Sequence, residues 1–253
     1  MRSIIYETNG RAREYSELAL NLFSGCGHHC IYCYSPDVLH IDRAIFYGDV
    51  RPRVTVAEIA ASARKFEAKG ETRAILLSFT GDPYQSAEAE TQLTRQAITV
   101  LHAHGLKVTI LTKGGKRALR DFDLLGPGDQ FAVTLTCIDE ETSRWWEPGA
   151  TLPMERIESL IEAHIRGIKT WVSLEPVIYP KATKQLVMLT KDFVGHYKVG
   201  TLNYHPWAAN IDWAQFVHQI TECMDTLGVR YYIKKDLARY LGKSEGFWSA
   251  QRG

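Results

Sequence analysis

"LALNLFSGCGHHCIYCY", residues Leu18 to Tyr34, joins two signals without a break. The first six residues are a short apolar run that reads as a strand. The rest places Cys26, Cys30 and Cys33 in a CxxxCxxC spacing with His28 and His29 between them. A strand that ends directly in a reactive loop is the arrangement of a parallel α/β sheet, where chemistry collects at the carboxyl edge. Further β-rich runs are "AILLSF" from Ala74, "KVTILT" from Lys107, "FAVTLT" from Phe131, "TWVSLE" from Thr170, "YKVGTL" from Tyr197 and "RYYIK" from Arg230. Between them lie stretches with helical spacing: "TVAEIAASARKFEAKG" from Thr55, "AEAETQLTRQAITVLHAHG" from Ala87, "PMERIESLIEAHIRG" from Pro153 and "DWAQFVHQITECMDTLG" from Asp212. Several open on Thr, Pro or Asp and close on Gly, as helix ends do. Strands alternating with helices imply βα units. The chain therefore reads as α/β, a partial (β/α)6 TIM-like barrel with parallel strands, since six or seven units make an open barrel.

No repeat or linker interrupts the 253 residues, so a single domain is expected over 1–253, with a core of about 16–235 and a C-terminal extension at 236–253. The 30 basic residues against 29 acidic ones exclude a global field that would attract a polyanion. The first twenty residues lack the apolar stretch of a secretory signal, and no run approaches a membrane span, so a cytoplasmic protein without membrane contact is expected. In a reducing compartment clustered cysteines bind metal or do chemistry more often than they form disulfides.

Three readings of the cysteine cluster stay open on spacing alone. A structural zinc needs a fourth ligand, from His28, His29 or elsewhere. A redox CxxC leaves Cys26 unexplained. A [4Fe–4S] cluster on three thiolates leaves one iron with open coordination for a small ligand.

The CxxxCxxC loop after the first strand of a partial barrel, with the aromatic Tyr32 just before the last cysteine, resembles the radical S-adenosylmethionine (radical SAM) superfamily. The resemblance implies a [4Fe–4S] cluster on Cys26, Cys30 and Cys33, with SAM on the open iron. It also implies reductive cleavage of SAM to a 5′-deoxyadenosyl radical that abstracts hydrogen, and a one-electron reductant such as flavodoxin or ferredoxin as partner. "TGDP" at Thr80, Gly81, Asp82 and Pro83 is similar to the superfamily's Gly-Gly-Glu-Pro element, which receives the SAM ammonium; Asp82 is one methylene shorter than the usual Glu. "LTKGG" is similar to the Thr/Ser-Lys pair of the spore photoproduct lyase-like branch, which implies Thr112 and Lys113 near the SAM carboxylate. Tyr32 and Tyr34 flanking Cys33 fit the same branch, as do "WEPGATLPMERIESL" and "GIKTWVSLEPVI".

Other residues at strand ends complete the candidate site. Thr134 and Thr136 alternate to one face of their strand and are placed beside the adenosine. Glu175 is a candidate for ribose hydroxyls or a substrate group, with an ion pair to a nearby lysine as the alternative. Photoproduct lyases carry a cysteine hydrogen donor close before the second-strand motif. Here Ser78, Phe79 and Thr80 offer no thiol, and Cys137 is the candidate in its place. Trp145, Trp146, Tyr204, His205 and Trp207 suit stacking on a nucleobase, with Lys113, Lys116, Arg117, Arg144, Lys234 and Lys235 near enough in sequence to meet phosphates. The expected function is lyase-like or modifying radical SAM chemistry on a nucleic-acid base or nucleotide. Alternatives are a peptide or small metabolite as substrate, or a zinc-binding module without catalysis.

Overall fold

The structure is a computed structural model and describes residues 3–250. Its strands are β1 (Tyr6–Glu7), β2 (Leu18–Leu20), β3 (Phe23–Ser24), β4 (Arg51–Pro52), β5 (Ile75–Leu77) and β6 (Val108–Thr112). They continue with β7 (Gln130–Thr134), β8 (Lys169–Leu174), β9 (His196–Val199), β10 (Tyr231–Ile233) and β11 (Phe247–Trp248). β2, β5, β6, β7, β8, β9 and β10 lie side by side and pair in parallel, one strand more than a six-unit barrel. β1 adds antiparallel to one edge and β11 to the other, so part of the expected C-terminal extension belongs to the sheet. The run "LALNLF" splits: β2 joins the main sheet, while β3 leaves it to pair with β4.

The helices are α1 (Gly10–Arg13), α2 (Ser35–Leu39), α3 (Arg43–Gly48), α4 (Val56–Glu67), α5 (Glu88–Thr91) and α6 (Leu93–Ala103). After them come α7 (Glu140–Trp146), α8 (Pro153–Ile165), α9 (Pro180–Thr190), α10 (Trp213–Thr226) and α11 (Lys235–Ala238). α4 shows how the sequence sets a boundary. The Thr55 hydroxyl and the Glu58 side chain form a capping box, and Ile59, Ala63 and Phe66 form the buried face. α9 stood outside the sequence reading; it starts on Pro180, where a missing N–H does no harm, and buries Ala182, Leu186 and Val187.

Parallel register decides which residues see the inside of the curved sheet. Thr134 lies beside Ser173, Ser173 beside Lys198, and Lys198 beside Tyr232. Side chains alternate along a strand, so this row shares one face. The intervening Phe131, Val133, Val172 and Tyr197 are fully buried, and the Tyr197 hydroxyl meets Thr190 of α9 at 2.9 Å, which marks that face as the one under the helices. The polar row therefore lines a lumen.

The ring does not close by strand pairing. Its open side is bridged by α1 and the segment after it: Lys198 donates to the carbonyls of Glu14 (2.7 Å) and Tyr15 (2.9 Å). Glu14 Oε1 accepts from the Tyr232 hydroxyl at 3.2 Å and the Lys235 amide at 2.7 Å, and Arg11 pairs with Asp236 at 2.9 Å. Among the described residues no helix is long and apolar enough to cross a membrane.

Candidate active site

The loop after β2 and β3 carries the three cysteines, all free of disulfides. Its backbone is gripped from several sides by hydrogen bonds. Cys26 N donates to Phe46 O at 3.1 Å, the Tyr47 hydroxyl donates to Cys30 O at 2.8 Å, and Ile31 N donates to Trp146 O at 2.9 Å. Gly149 N donates to His28 O at 2.9 Å, and a side chain at Gly149 would meet Gly27 O at 2.1 Å. Gly25 has φ +78 and lies so near Phe46 O that a Cβ would stand 2.6 Å away, so only glycine serves at this turn. Gln85, buried beneath the loop, accepts from Gly27 N at 2.7 Å and contacts Gly25 O at 3.4 Å. Gln85 follows "TGDP" by two residues, so the turn that carries the second motif physically holds the first.

Asp82 sits at the centre of that second motif, and its carboxylate is occupied from within. Oδ1 accepts from Tyr84 N (2.8 Å) and the Thr112 hydroxyl (2.5 Å); Oδ2 accepts from Lys113 N (2.7 Å) and lies 3.5 Å from His28 Nδ1. The motif residue thereby ties the end of β5 to the end of β6. Burial drives the His28 pKa down to about 4, against the pull of Asp82 and with help from Lys113. The imidazole is neutral, and its Nε2 is buried without a partner. Thr80 Oγ1 is likewise buried without a partner, and Gly81 has φ +142.

Lys113 leaves the end of β6 with its ammonium 5.5 Å from the centre of the Tyr32 ring. Burial opposes its charge, but Cys30 and Glu147 outweigh that and raise its pKa above the ordinary value. The Tyr32 hydroxyl donates to Glu147, as does Thr136 at 2.9 Å, while the Tyr34 hydroxyl donates to Phe79 O at 2.9 Å. Burial pushes the Cys30 thiol up to about 12 and raises that of Cys26 well above its ordinary value. These thiols stay protonated until something positive takes the place of the proton.

Not every sequence candidate gathers here. Cys137 is 1% exposed and packed in the hydrophobic core, with the Thr136 hydroxyl 3.6 Å from its sulfur. Thr134 lines the lumen. Glu175 stands on the far half of the barrel, accepting from the Tyr15 hydroxyl and from Lys234 at 2.5 Å, with Ser173 2.8 Å from that same hydroxyl. The lysine pair foreseen as the alternative for Glu175 is present. Tyr15, Lys198, Gln85, Glu147 and Arg156 carry much of the interior polarity and were assigned no role from sequence; Glu147 and Arg156 lie within "WEPGATLPMERIESL", whose spacing does not show that the two side chains meet.

Of the proposed stacking residues, Trp145 and Tyr204 are exposed at 58% and 63%. Trp146 is buried and touches Trp145, His205 and Trp207 edge to face. Four of the six cations foreseen for phosphates are already paired: Lys116 with Glu158, Arg144 with Glu140, Lys234 with Glu175 and Lys235 with Glu245. Arg117 and Arg144 line a cavity of about 260 Å³ beside Glu147 and Thr151.

An open parallel barrel with three unpaired thiols presented at its carboxyl edge defines an α/β protein built to hold a group at that loop. The radical SAM superfamily profile matches residues 20–194. The chain belongs to the radical SAM superfamily. It is 30% identical over 169 residues to an uncharacterized protein of Mycobacterium tuberculosis (strain ATCC 25618 / H37Rv), which covers 63% of this chain and 49% of that one. An uncharacterized protein of Acidianus two-tailed virus is 27% identical over 193 residues, covering 71% and 62%. The chain thus spans about half the length of the mycobacterial relatives it matches. In fold it is similar to a spore photoproduct lyase variant with bound AdoMet and dinucleoside spore photoproduct, with TM-score 0.64 and 18% identity over 84% of this chain and 63% of that one. Streptococcus suis SuiB bound to S-adenosylmethionine gives TM-score 0.66 and 13% identity over 88% and 51%.

The residues fit the family's groups. Among the described residues no three or more His, Cys, Asp or Glu side chains are gathered tightly enough for a single ion. Three thiols of one loop can each take a different iron of a cluster. The unpartnered Thr80 hydroxyl, the carbonyls around Gly81 and the Lys113 ammonium supply an acceptor side and a cationic side for an amino acid moiety.

Proposed function

We propose that this protein is a radical SAM enzyme that holds a [4Fe–4S] cluster on Cys26, Cys30 and Cys33 and acts on a nucleic-acid base or nucleotide. The observation that carries the reading is the three-thiol loop, hydrogen-bonded on several sides and set beside a lysine without a carboxylate partner in direct contact. When bound, the cluster and SAM supply a one-electron reductive cleavage that yields a 5′-deoxyadenosyl radical. Gln85, Gly149 and α3 hold the thiols in place. Lys113 receives a carboxylate, and the carbonyls of Thr80 and Gly81 receive an ammonium, because Asp82 is already filled. Thr134 and Glu175 line the lumen where a substrate would meet the radical, and burial of this edge excludes water.

The substrate class rests on the exposed rings of Trp145 and Tyr204, since most nearby cations are paired. Stacking then contributes ~1–3 kcal/mol per base and phosphates contribute little, so affinity for single strands should fall only weakly with salt. The test is anaerobic reconstitution. Wild-type protein should take up iron and sulfide and form 5′-deoxyadenosine under a one-electron reductant. Ala at Cys26, Cys30 or Cys33 should abolish both, and Cys223→Ala neither. Single-stranded oligomers should bind, and Trp145→Ala should weaken them about tenfold. Equal iron loss in the Cys223 variant would sink the cluster assignment, and absence of oligomer binding at low salt would remove the nucleic-acid part.

A further inference from the structure

We propose that the buried pair Glu147–Arg156 is a positioning element of the SAM site, with Glu147 acting through Tyr32 to hold Lys113 where a carboxylate must be met. The inference rests on the radical SAM reading above. Glu147 directly follows α7, and Arg156 lies on the first turns of α8. Their side chains are 0% and 1% exposed, with Arg156 Nη2 2.6 Å from Glu147 Oε2. A buried ion pair is a poor source of stability, because apolar side chains of similar volume usually serve as well or better. Its presence beside the cysteine loop therefore calls for a role other than stability.

The contacts describe that role. The guanidinium is fixed by two bonds to Thr151 O (2.9 and 2.6 Å) and one to Thr134 O (3.0 Å), so it cannot swing to another anion. Glu147 is fixed in turn. Burial opposes its ionisation, yet Arg156, Lys113 and the Tyr32 hydroxyl hold its carboxyl below the ordinary carboxylate value. Oε1 accepts from the hydroxyls of Tyr32 and Thr136. Tyr32 stands between Cys30 and Cys33, and the face of its ring carries the Lys113 ammonium at 5.5 Å. The Lys113 carbonyl is held from the same side, accepting from Thr151 N (3.1 Å) and Thr151 Oγ1 (2.9 Å). The flanking backbone at Trp146 and Gly149 bonds to Ile31 and His28 of the cysteine loop. One buried carboxylate thus registers three things against each other: the ring, the lysine above it and the loop between the thiols.

A stabilising pair and a positioning pair respond differently to an apolar replacement. The double variant Glu147→Leu/Arg156→Met removes both charges together, so no uncompensated charge is left buried and the fold should persist. It also strips Tyr32 of its acceptor. We expect its melting temperature to stay near that of the wild type, while the dissociation constant for SAM, measured anaerobically on reconstituted protein, rises about tenfold. The change that SAM causes in the electron paramagnetic resonance spectrum of the reduced cluster should also weaken. Tyr32→Leu, which removes the platform directly, should match that loss, and combining it with the double variant should add nothing further. Tyr32→Phe, which keeps the ring, should fall between.

Wild-type SAM affinity and an unchanged spectrum in a folded double variant would overturn the proposal. If the double variant fails to fold, wild-type affinity in Tyr32→Leu overturns it equally. Wild-type protein that takes up no iron and binds no SAM would overturn the radical SAM reading itself, and the two failures are thereby distinct.

Discussion

Both carboxylate oxygens of Asp82 are taken by groups of the protein, although its place in "TGDP" pointed to SAM. Replacement by Ala would strand the buried amide of Tyr84, the Thr112 hydroxyl and the amide of Lys113. Each such orphan costs about 1–3 kcal/mol. We predict that Asp82→Ala lowers the unfolding free energy by about 3 kcal/mol in urea titrations, with Asp82→Asn milder because one oxygen remains. A loss within ~0.5 kcal/mol, the range of an inconsequential surface change, would show that the turn stands without it. Cys26, Cys30 and Cys33 were legible because their spacing is covalent, written within one loop. Gln85, Glu147 and Arg156 were not, since what makes them part of the site is their convergence on the cysteine loop in the folded chain.

At the scale of elements the alternation of runs was enough for the sheet: each of the seven β-rich runs overlaps one of the parallel strands. Helix continuity was less legible. The stretch from Ala87 reads as one helix, but Gln92 takes φ +48 and divides it into α5 and α6. The cause is tertiary. The Glu88 carboxylate accepts from Thr94 N at 3.0 Å, and the Thr94 hydroxyl donates to Pro83 O at 2.6 Å, which pins the start of α6 to the turn holding Asp82. The segment after α7 is equally constrained. Gly149→Ala sets a Cβ 2.1 Å from Gly27 O, a backbone atom that can yield only by moving the cysteine loop. We predict that this variant loses about 1–3 kcal/mol of stability and binds less iron per chain after reconstitution, with its far-ultraviolet circular dichroism unchanged. Full iron content would show that the loop has slack at this contact.

Across the whole molecule the weak line is the open side of the barrel, bridged by side chains in place of strand pairing. Lys198 is central to that bridge. Burial, reinforced by Lys234 and opposed by Glu14 and Glu175, brings its pKa from 10.5 to about 8. The unfolded chain keeps that proton to about pH 10.5, so between about pH 8 and that limit it binds more protons than the folded one, and stability rises with pH. Below about pH 8 the burial penalty is present in full. Near pH 10 the buried Tyr15 and Tyr32, whose pKa values burial raises, tilt the balance the other way. We predict that from about pH 7 to about pH 9.5 the wild type gains unfolding free energy relative to Lys198→Met; parallel curves for the two proteins would refute the assignment.

The same bridge has a consequence in time. The partners that grip the cysteine loop, from Phe46 through Gln85 to Gly149, precede the pair that completes the brace on Tyr32 at Arg156. The bridge waits for Lys198, Tyr232, Lys235 and Asp236, some of the last residues of the sheet and its helices. A chain growing from its amino end thus holds every contact of the three-thiol cradle before the residues that bridge its far side exist. During that interval the cysteine loop stands in a barrel whose wall is still incomplete.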